Sequence, residues 1–449
     1  MQVFKFGGAS ISTPQKVKHI AQLIQTQHTP EALTIVVSAM GKTTNNLEEA
    51  LADALERPGQ TSEALERIKA FHHDMVNALF GEDQETKATT HSLLANLELL
   101  LTHLPQKEEY DTIYDMVVSF GELLSSRIMQ TYLAQQGMQA QWVDARTIFR
   151  TDDAHRAATV DWHLSQQLAK DTLKDAPRSM YITQGFIGAN AQGKTTTLGR
   201  EGSDYSAALL GAFLMAKNVT IWKDVPGFLS ADPKMFPTAQ PLAELDYQEA
   251  IEMSYNGAKI IHPKAIKPLL CAEIPMHVRS FVDPDLPGTI IHHRPAEQGD
   301  TTTPPLLAVL DNITLLSITP HDLSFALEES LGDVFSLLHS YRIRPRLINN
   351  SAVSLSLCVD SDPIHLPAAM QALEQHFQLS HTGGLKLLTI RHCTPELQKL
   401  LDGSDAPLLA KSTPTARQYL LPADEWEQKL YPTICDTLAR IPAQRSSDR

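Results

Sequence analysis

The sequence predicts an α/β protein: a mainly parallel central sheet covered by helices, followed by two small α+β units. Over the first two thirds of the chain, short apolar runs alternate with amphipathic runs at helical spacing, the pattern of strands joined by crossover helices. After about Arg294 the elements shorten, and Val353, Leu355, Leu357 and Val359 alternate with Ser354, Ser356 and Cys358 as in a half-buried strand. A similar order of strand and helix recurs from Leu385 onward.

Taken in order, Val3-Phe4-Lys5-Phe6 reads as a strand that Gly7-Gly8 ends. Thr13 then caps a helix with Pro14 at its first position, and Val17, Ile20, Ala21 and Ile24 follow at helical spacing. Leu33 to Val37, Ser179 to Thr183 and Val219 to Trp222 read as further strands, with a long helix over about Asp111 to Gln136 and a helix capped by Ser203. Glu297 to Pro305 has linker composition. Beyond it come a strand over Ile313 to Ile318, a helix through Val334, Leu337 and Leu338, a short strand at Leu347-Ile348, and a helix opened by Asp362-Pro363. The repeat adds a helix after Thr394-Pro395, two strands and a helix from Ala423. The boundaries expected are 1–294 for the first domain, 295–311 for a linker, and 312–380 and 381–449 for the two small units.

A chain of 449 residues is too long for one ordinary core, and 43% hydrophobic with 20% charged residues is an ordinary globular composition. The formal charge of −14 argues against nucleic acid and anionic membranes as partners, so a phosphate site must gather its cations locally. Cys271, Cys358, Cys393 and Cys435 form no CxxC pair, which suits a cytosolic thiol state and no zinc site. No signal-peptide pattern and no bilayer-length apolar run occurs, so a cytoplasmic protein is expected. The paired histidines His72-His73 and His292-His293 lack metal-ligand spacing and read as surface residues.

Five segments carry chemistry. Lys5-Phe6-Gly7-Gly8-Ala9-Ser10 lies at a strand-to-helix turn, where glycines admit close backbone approach and N–H groups can cradle phosphate oxygens. Ser38 to Asn45, including Thr44, offers small and hydroxyl residues at a strand end. Phe120-Gly121-Glu122 places a glycine within a helical run, where it costs about 1 kcal/mol against alanine unless a close approach compensates; Glu122 would face a ligand ammonium. Thr195 to Tyr205 concentrates hydroxyls, glycines, Arg200 and Asp204 ahead of a helix, and Arg200 could hold a carboxylate through a bidentate fork. Trp222 to Lys234 leaves a strand and turns twice, carrying Lys223, Asp224, Asp232 and Lys234; Gly257-Ala258-Lys259-Ile260-Ile261-His262-Pro263 follows. Gly188 to Thr195 fits the Walker A letters, but three threonines and two glycines oppose the helix that motif requires, so an exposed hairpin is expected instead.

In combination these segments resemble the aspartate kinase family of the amino-acid kinase fold, over nearly the whole chain, and the tail resembles that family's tandem ACT domains. The resemblance implies Mg-ATP-dependent phosphorylation of the side-chain carboxylate of L-aspartate. It assigns Lys5 and Asp204 to catalysis, and Thr44, Glu122, Arg200 and Ser203 to aspartate. To ATP it assigns Gly7, Gly8, Ser10, Lys223, Asp224, Leu229, Lys234 and Lys259, and it assigns no protein metal site. It implies an amino-acid effector at the ACT units, a homodimer, and no room for the homoserine dehydrogenase that some relatives carry. The chain departs from the family where Glu201 replaces a frequent glycine and Lys223 a small hydroxyl residue. Arg346 and Ala352 stand where lysine-inhibited relatives have acidic residues, and the loop from Thr319 to Glu329 is longer, which argues against lysine as effector.

The chemistry is consistent with that resemblance. A carboxylate nucleophile with a reference pKa of about 3.9 is already ionised at neutral pH and needs no general base. The difficulty is bringing an anion to a polyanion. Rival readings are another amino-acid kinase, acting on glutamate, acetylglutamate or a nucleotide, and a kinase fold retired to amino-acid sensing through its tail.

Overall fold

The computed structural model describes residues 1–27, 31–59, 62–105, 107–174, 176, 179–258, 260–293, 303–321, 327–351, 353–404 and 406–440. It divides into two compact units: Met1–Phe228, Pro241–Ile251 and Ile260–Pro295 in the first, and Leu229–Gln240, Glu252–Lys259 and Ala296–Arg449 in the second. Two internal segments thus group with the C-terminal unit, an exchange that no composition break marks.

The first unit is built on an eight-stranded sheet. Its strands are β1 (Gln2–Phe6), β2 (Leu33–Val37), β3 (Ala140–Val143), β4 (Met180–Gln184), β7 (Val219–Lys223), β8 (Glu244–Asp246), β9 (Met276–Ser280) and β10 (Thr289–His292), in the order β3-β4-β2-β1-β7-β9-β10-β8. Every pairing is parallel except β9 with β10. Between β4 and β7 a hairpin of β5 (Ile187–Ala189) and β6 (Thr195–Thr197) stands apart. It takes the place of a P-loop at Gly188 to Thr195, because the threonines pair as strand. Both strands are buried and only the turn is exposed, a correction to the exposed hairpin expected.

The helices are α1 (Pro14–Gln27), α2 (Thr43–Glu56), α3 (Glu63–Phe80), α4 (Gln84–Thr102), α5 (Tyr110–Val118), α6 (Phe120–Gln135), α7 (Trp162–Thr172), α8 (Gly202–Phe213), α9 (Tyr247–Tyr255) and α10 (Pro263–Ala272). The period of two in β1 decides what faces them. Phe4 and Phe6 join Val17, Ile20 and Ile24 of α1 and Met129 and Leu133 of α6 in one core. Lys5 points the other way, toward α8. That helix packs closely on β7 because Gly211 has no side chain: a Cβ there would lie 2.3 Å from a Val219 methyl.

Two sequence expectations are corrected here. The long helix over 111–136 is two helices broken at Ser119, so Gly121 lies in the first turn of α6 rather than in mid-helix. His72 is a fully buried core residue, its Nδ1 bonded to the Ile68 carbonyl at 2.8 Å, because the inner stripe of α3 includes it along with Ile68, Met75 and Val76. His73 is exposed, and His292 is partly exposed.

The second unit has a six-stranded antiparallel sheet ordered β12-β13-β11-β14-β16-β15. Its strands are β11 (Leu306–Pro320), β12 (Pro345–Asn350), β13 (Leu355–Asp360), β14 (Phe377–Arg391), β15 (Leu409–Ser412) and β16 (Ala416–Pro422). β11 begins within the stretch read as linker, since Leu306, Leu307 and Ala308 pair with Arg391, Ile390 and Thr389. A bulge around Asn312, which is left-handed at φ 54, separates its two halves. Around one half, Leu316, Ile318, Leu355 and Leu357 pack with α11 (Leu327–Ser340) and α12 (His365–Glu374). Around the other, Leu388, Ile390 and Leu421 pack with α13 (Pro395–Asp402) and with the run from α14 (Ala423–Glu425) into α15 (Tyr431–Ala439). These are the two α+β halves expected. Cys358 is buried rather than solvent-facing, because Ile313, Leu347, Leu385 and Leu420 cover that side of the sheet. Ala352 and residues 322–326 of the 319–329 loop lie outside the described residues.

Candidate active site

At the carboxyl edge of the parallel sheet, the ends of β1, β2 and β4 open into a cleft of about 410 Å³. Lys5, Ser38, Thr44, Glu122, Arg200 and Ser203 all line it. Lys5 is 5% exposed, and its ammonium lies 2.5 Å from Oδ1 of Asp204, in the first turn of α8. Lys223, at the end of β7, approaches the other oxygen at 3.3 Å. Burial pushes the Asp204 carboxyl up, but the two ammonium groups outweigh it and hold the carboxyl below the usual carboxylate range. Asp204 therefore fixes two cations at the strand ends.

Three segments interlock beside Lys5. A Cβ on Gly8 would lie 2.5 Å from the Ala39 carbonyl, and the Gly41 N–H donates to the Gly8 carbonyl at 3.1 Å. A Cβ on Gly121 would lie 2.7 Å from that of Ala39. The close approach that Gly121 permits is thus to the Ala39 side chain, just after β2. It delivers Glu122, whose Oε1 accepts the Ala39 N–H at 3.0 Å. Its Oε2 is buried and takes no hydrogen bond among the described residues. Burial raises the Glu122 carboxyl to about 8, against the opposing pull of the Ala39 N–H and Lys5. A buried carboxyl with one open oxygen, in a cleft that also holds arginine, suits a cationic ligand group.

The opposite wall is the entry to α8. Gly199 and Glu201 are both left-handed, at φ 77 and φ 54. Glu201 takes the N-cap position and the helix begins at Gly202, so Ser203 lies inside the first turn and is not the cap expected. The reason is the turn itself, where the Gly202 N–H donates to the Gly199 carbonyl at 3.0 Å. The early N–H groups of a twelve-residue helix, together with Arg200, suit an anion. Lys264 steadies this loop by donating to the Leu198 carbonyl at 2.9 Å.

Gly7 precedes a short 3-10 turn over Gly8–Ile11, and the buried Ser10 hydroxyl donates back to the Gly7 carbonyl at 2.6 Å. Ser10 therefore shapes the turn. Asp224 is exposed just after Lys223. Leu229 and Lys234 belong to the second unit, where the Lys234 N–H donates to Asp232 Oδ1 at 2.9 Å. Lys259 lies outside the described residues. Arg346 forks onto Asp360 at 3.0 and 2.6 Å.

Sequence reasoning missed Tyr114, Arg156 and Phe186 in the cleft wall. Tyr114 and Phe186 belong to none of the five segments that carried chemistry in the sequence. Arg156 lies in a polar stretch whose only marker is structural, a left-handed φ of 65. Among the described residues no cluster of three or more metal-ligating side chains occurs, and no helix is long and apolar enough to cross a membrane.

A model of the amino acid kinase family matches residues 1–280. Lysine-sensitive aspartokinase 3 of Escherichia coli is 35% identical over 371 residues, covering 80% of this chain and 78% of the relative. A bifunctional aspartokinase/homoserine dehydrogenase of Arabidopsis thaliana is 30% identical over 84% of this chain, which spans 42% of that longer relative. A solved structure of E. coli aspartokinase III in complex with aspartate and ADP, in the R-state, matches with a TM-score of 0.79 and 29% identity, covering 95% of this chain and 97% of that one. The chain belongs to the amino acid kinase family, and within it to the aspartokinases.

Proposed function

We propose that this chain transfers the γ-phosphoryl group of ATP to the side-chain carboxylate of L-aspartate, giving 4-phospho-L-aspartate. The observation that carries this reading is one cleft holding Lys5 on Asp204, the open oxygen of Glu122, and Arg200 at a helix N-terminus. Glu122 receives the α-ammonium. Arg200, Thr44 and Ser203 receive the α-carboxylate. Those contacts set the side-chain carboxylate toward Lys5 in line for attack. Lys5, Lys223 and the backbone of Gly7 and Gly8 neutralise the charge on the transferred phosphoryl group. No general base is required, because the nucleophile is already anionic.

Mg²⁺ fits this site as a companion of the nucleotide, since it binds through phosphates and water with only one or two carboxylates. Asp204 is committed to two lysines, so it would reach the metal through water; the exposed Asp224, next in the chain after Lys223, is a second candidate carboxylate. When bound, the metal supplies further charge neutralisation at the phosphates. The second unit, with its paired α+β halves, is read as an amino-acid-binding regulatory tail, and the assembly as a homodimer.

The test is ADP release in a coupled assay with aspartate, glutamate, acetylglutamate and a nucleoside monophosphate offered separately. Turnover with aspartate alone supports the reading. Preference for another acceptor reassigns the site, and tight amino-acid binding without turnover would identify a sensor.

A further inference from the structure

Arg156 is a cationic side chain that the mechanism above does not use. It lines the same cleft as Arg200, yet comes from the loop before α7. Its backbone is left-handed at φ 65, a conformation that costs a side-chain-bearing residue free energy and persists only where surrounding structure imposes it. Here the imposing group is Asp115 of α5, which is fully buried. Its carboxylate accepts the Arg156 N–H at 3.0 and 3.2 Å, the His155 ring at 2.8 Å, and the N–H and hydroxyl of Thr197 at 3.0 and 2.6 Å. One anchor thus fixes the Arg156 loop and the strand that leads to Arg200. The two loops also touch: a Cβ on Gly199 would lie 3.2 Å from the Arg156 carbonyl oxygen.

The side chain, in contrast, is held lightly. Its guanidinium rests over the Tyr114 ring at 4.4 Å, with Nη1 3.4 Å from Asp111, and both members of that ion pair are more than two fifths exposed. Exposed pairs of this kind contribute little, so a ligand anion can replace Asp111 at small cost. The backbone is therefore anchored and strained, while the charged arm is held by one exposed ion pair and by stacking on Tyr110 and Tyr114. That is the arrangement expected of an arm that engages a ligand rather than one that props up the fold.

We propose that Arg156 is a specificity-determining residue: on substrate binding it leaves Asp111 and closes over the α-carboxylate held by Arg200, giving that carboxylate a second guanidinium. The inference rests on the aspartate reading and deepens it. Lys5 lies deep at the sheet beside Asp204, where the reacting carboxylate must go, so the carboxylate left for the exposed Arg156 and Arg200 is the α-carboxylate. A substrate that lacks the α-carboxylate would leave both guanidinium groups without their partner.

The test is steady-state kinetics of the full chain with L-aspartate and with its α-amide, in wild type, Arg156→Gly and Arg156→Lys. Glycine removes the charge and also suits the left-handed backbone, so loss of folding does not confound it. The expected result in Arg156→Gly is a KM for aspartate raised about 10- to 100-fold, as for loss of a charge-assisted hydrogen bond. The KM for the α-amide and for ATP should stay within about twofold, so that the preference for aspartate over its α-amide falls by about the same 10- to 100-fold while Arg200 keeps the remainder, and Tm should hold or rise. Arg156→Lys should recover part of the preference, because an ammonium keeps the charge without the fork. An unchanged aspartate KM in Arg156→Gly, or an equal rise for both acceptors, overturns the proposal while leaving the aspartate reading intact. A wild-type chain that turns over neither acceptor overturns both.

Discussion

Glu122→Gln isolates the ammonium pocket. Glutamine keeps an oxygen for the Ala39 N–H, so the helix entry is preserved while the ionisable group is lost. In the free protein burial pushes the carboxyl up from its ordinary 4.5 to about 8. At pH 7 it is therefore about nine-tenths protonated. An ammonium at its open oxygen favours the anion, so aspartate binding should release about 0.9 proton at pH 7. Ionising the group at that pH costs about 1.4 kcal/mol, which offsets part of the roughly 1.5 to 3 kcal/mol that a charge-assisted contact contributes. The loss in aspartate affinity on Glu122→Gln should therefore be modest at pH 7, about tenfold or less, and grow to roughly 10- to 100-fold at pH 8.5, where that cost nearly vanishes. Titration calorimetry in buffers of differing ionisation enthalpy measures both quantities. Wild-type binding without proton release, or an affinity loss that does not grow with pH, would refute the placement of the ammonium at Glu122. Stability has the matching sign. A carboxyl raised in the folded state stabilises below about 4.5, and that contribution is lost as pH rises through about 8. Glu122→Gln should gain stability over wild type across that window.

The remaining expectations concern the cation cluster, the strained entry to α8 and the buried histidine. Lys5→Ala should lower kcat by orders of magnitude, and it should also destabilise the fold by about 3 kcal/mol or more, because it removes one of the two cations on the fully buried Asp204. That second effect follows from the burial of the Lys5–Asp204 pair, which the sequence does not show, and adding Asp204→Asn should restore Tm but not turnover. Arg200→Ala should raise the KM for aspartate far more than that for ATP, and equal effects would move Arg200 to another role. Glu201→Gly should raise Tm, because glycine accepts φ 54 at no steric cost; a lower Tm would mean the Glu201 side chain is needed for folding. His72 is held neutral by burial, with its pKa lowered to about 4 from 6.5, so stability present above 6.5 is lost as pH falls toward 4. In His72→Leu an acid denaturation curve should lose that dependence, worth about 3 kcal/mol over the window.

Much of the first unit was legible because several of its strands are short, mainly apolar and bounded by glycine or polar runs. The alternation in Val3-Phe4-Lys5-Phe6 even assigns Lys5 to the face away from Phe4 and Phe6. What the sequence hid were effects of tertiary contact. The break at Ser119 lies in a run whose helical periodicity continues through it, and the compensation for Gly121 comes from Ala39, far away in the chain. Ser203 carries a capping residue's chemistry, yet the left-handed Glu201 takes the cap because the Gly199 turn sets the helix start. Arg156 was invisible for the same reason: its place in the cleft depends on Asp115, a carboxylate whose sequence neighbours say nothing of its burial.

The most direct measurement is hydroxylamine trapping of the product formed with ATP, Mg²⁺ and aspartate. Aspartyl hydroxamate formed in step with ADP, and lost in Lys5→Ala, is the result expected if the cleft brings the side-chain carboxylate to the γ-phosphate. ADP release without hydroxamate, or hydroxamate from an acceptor other than aspartate, would contradict it.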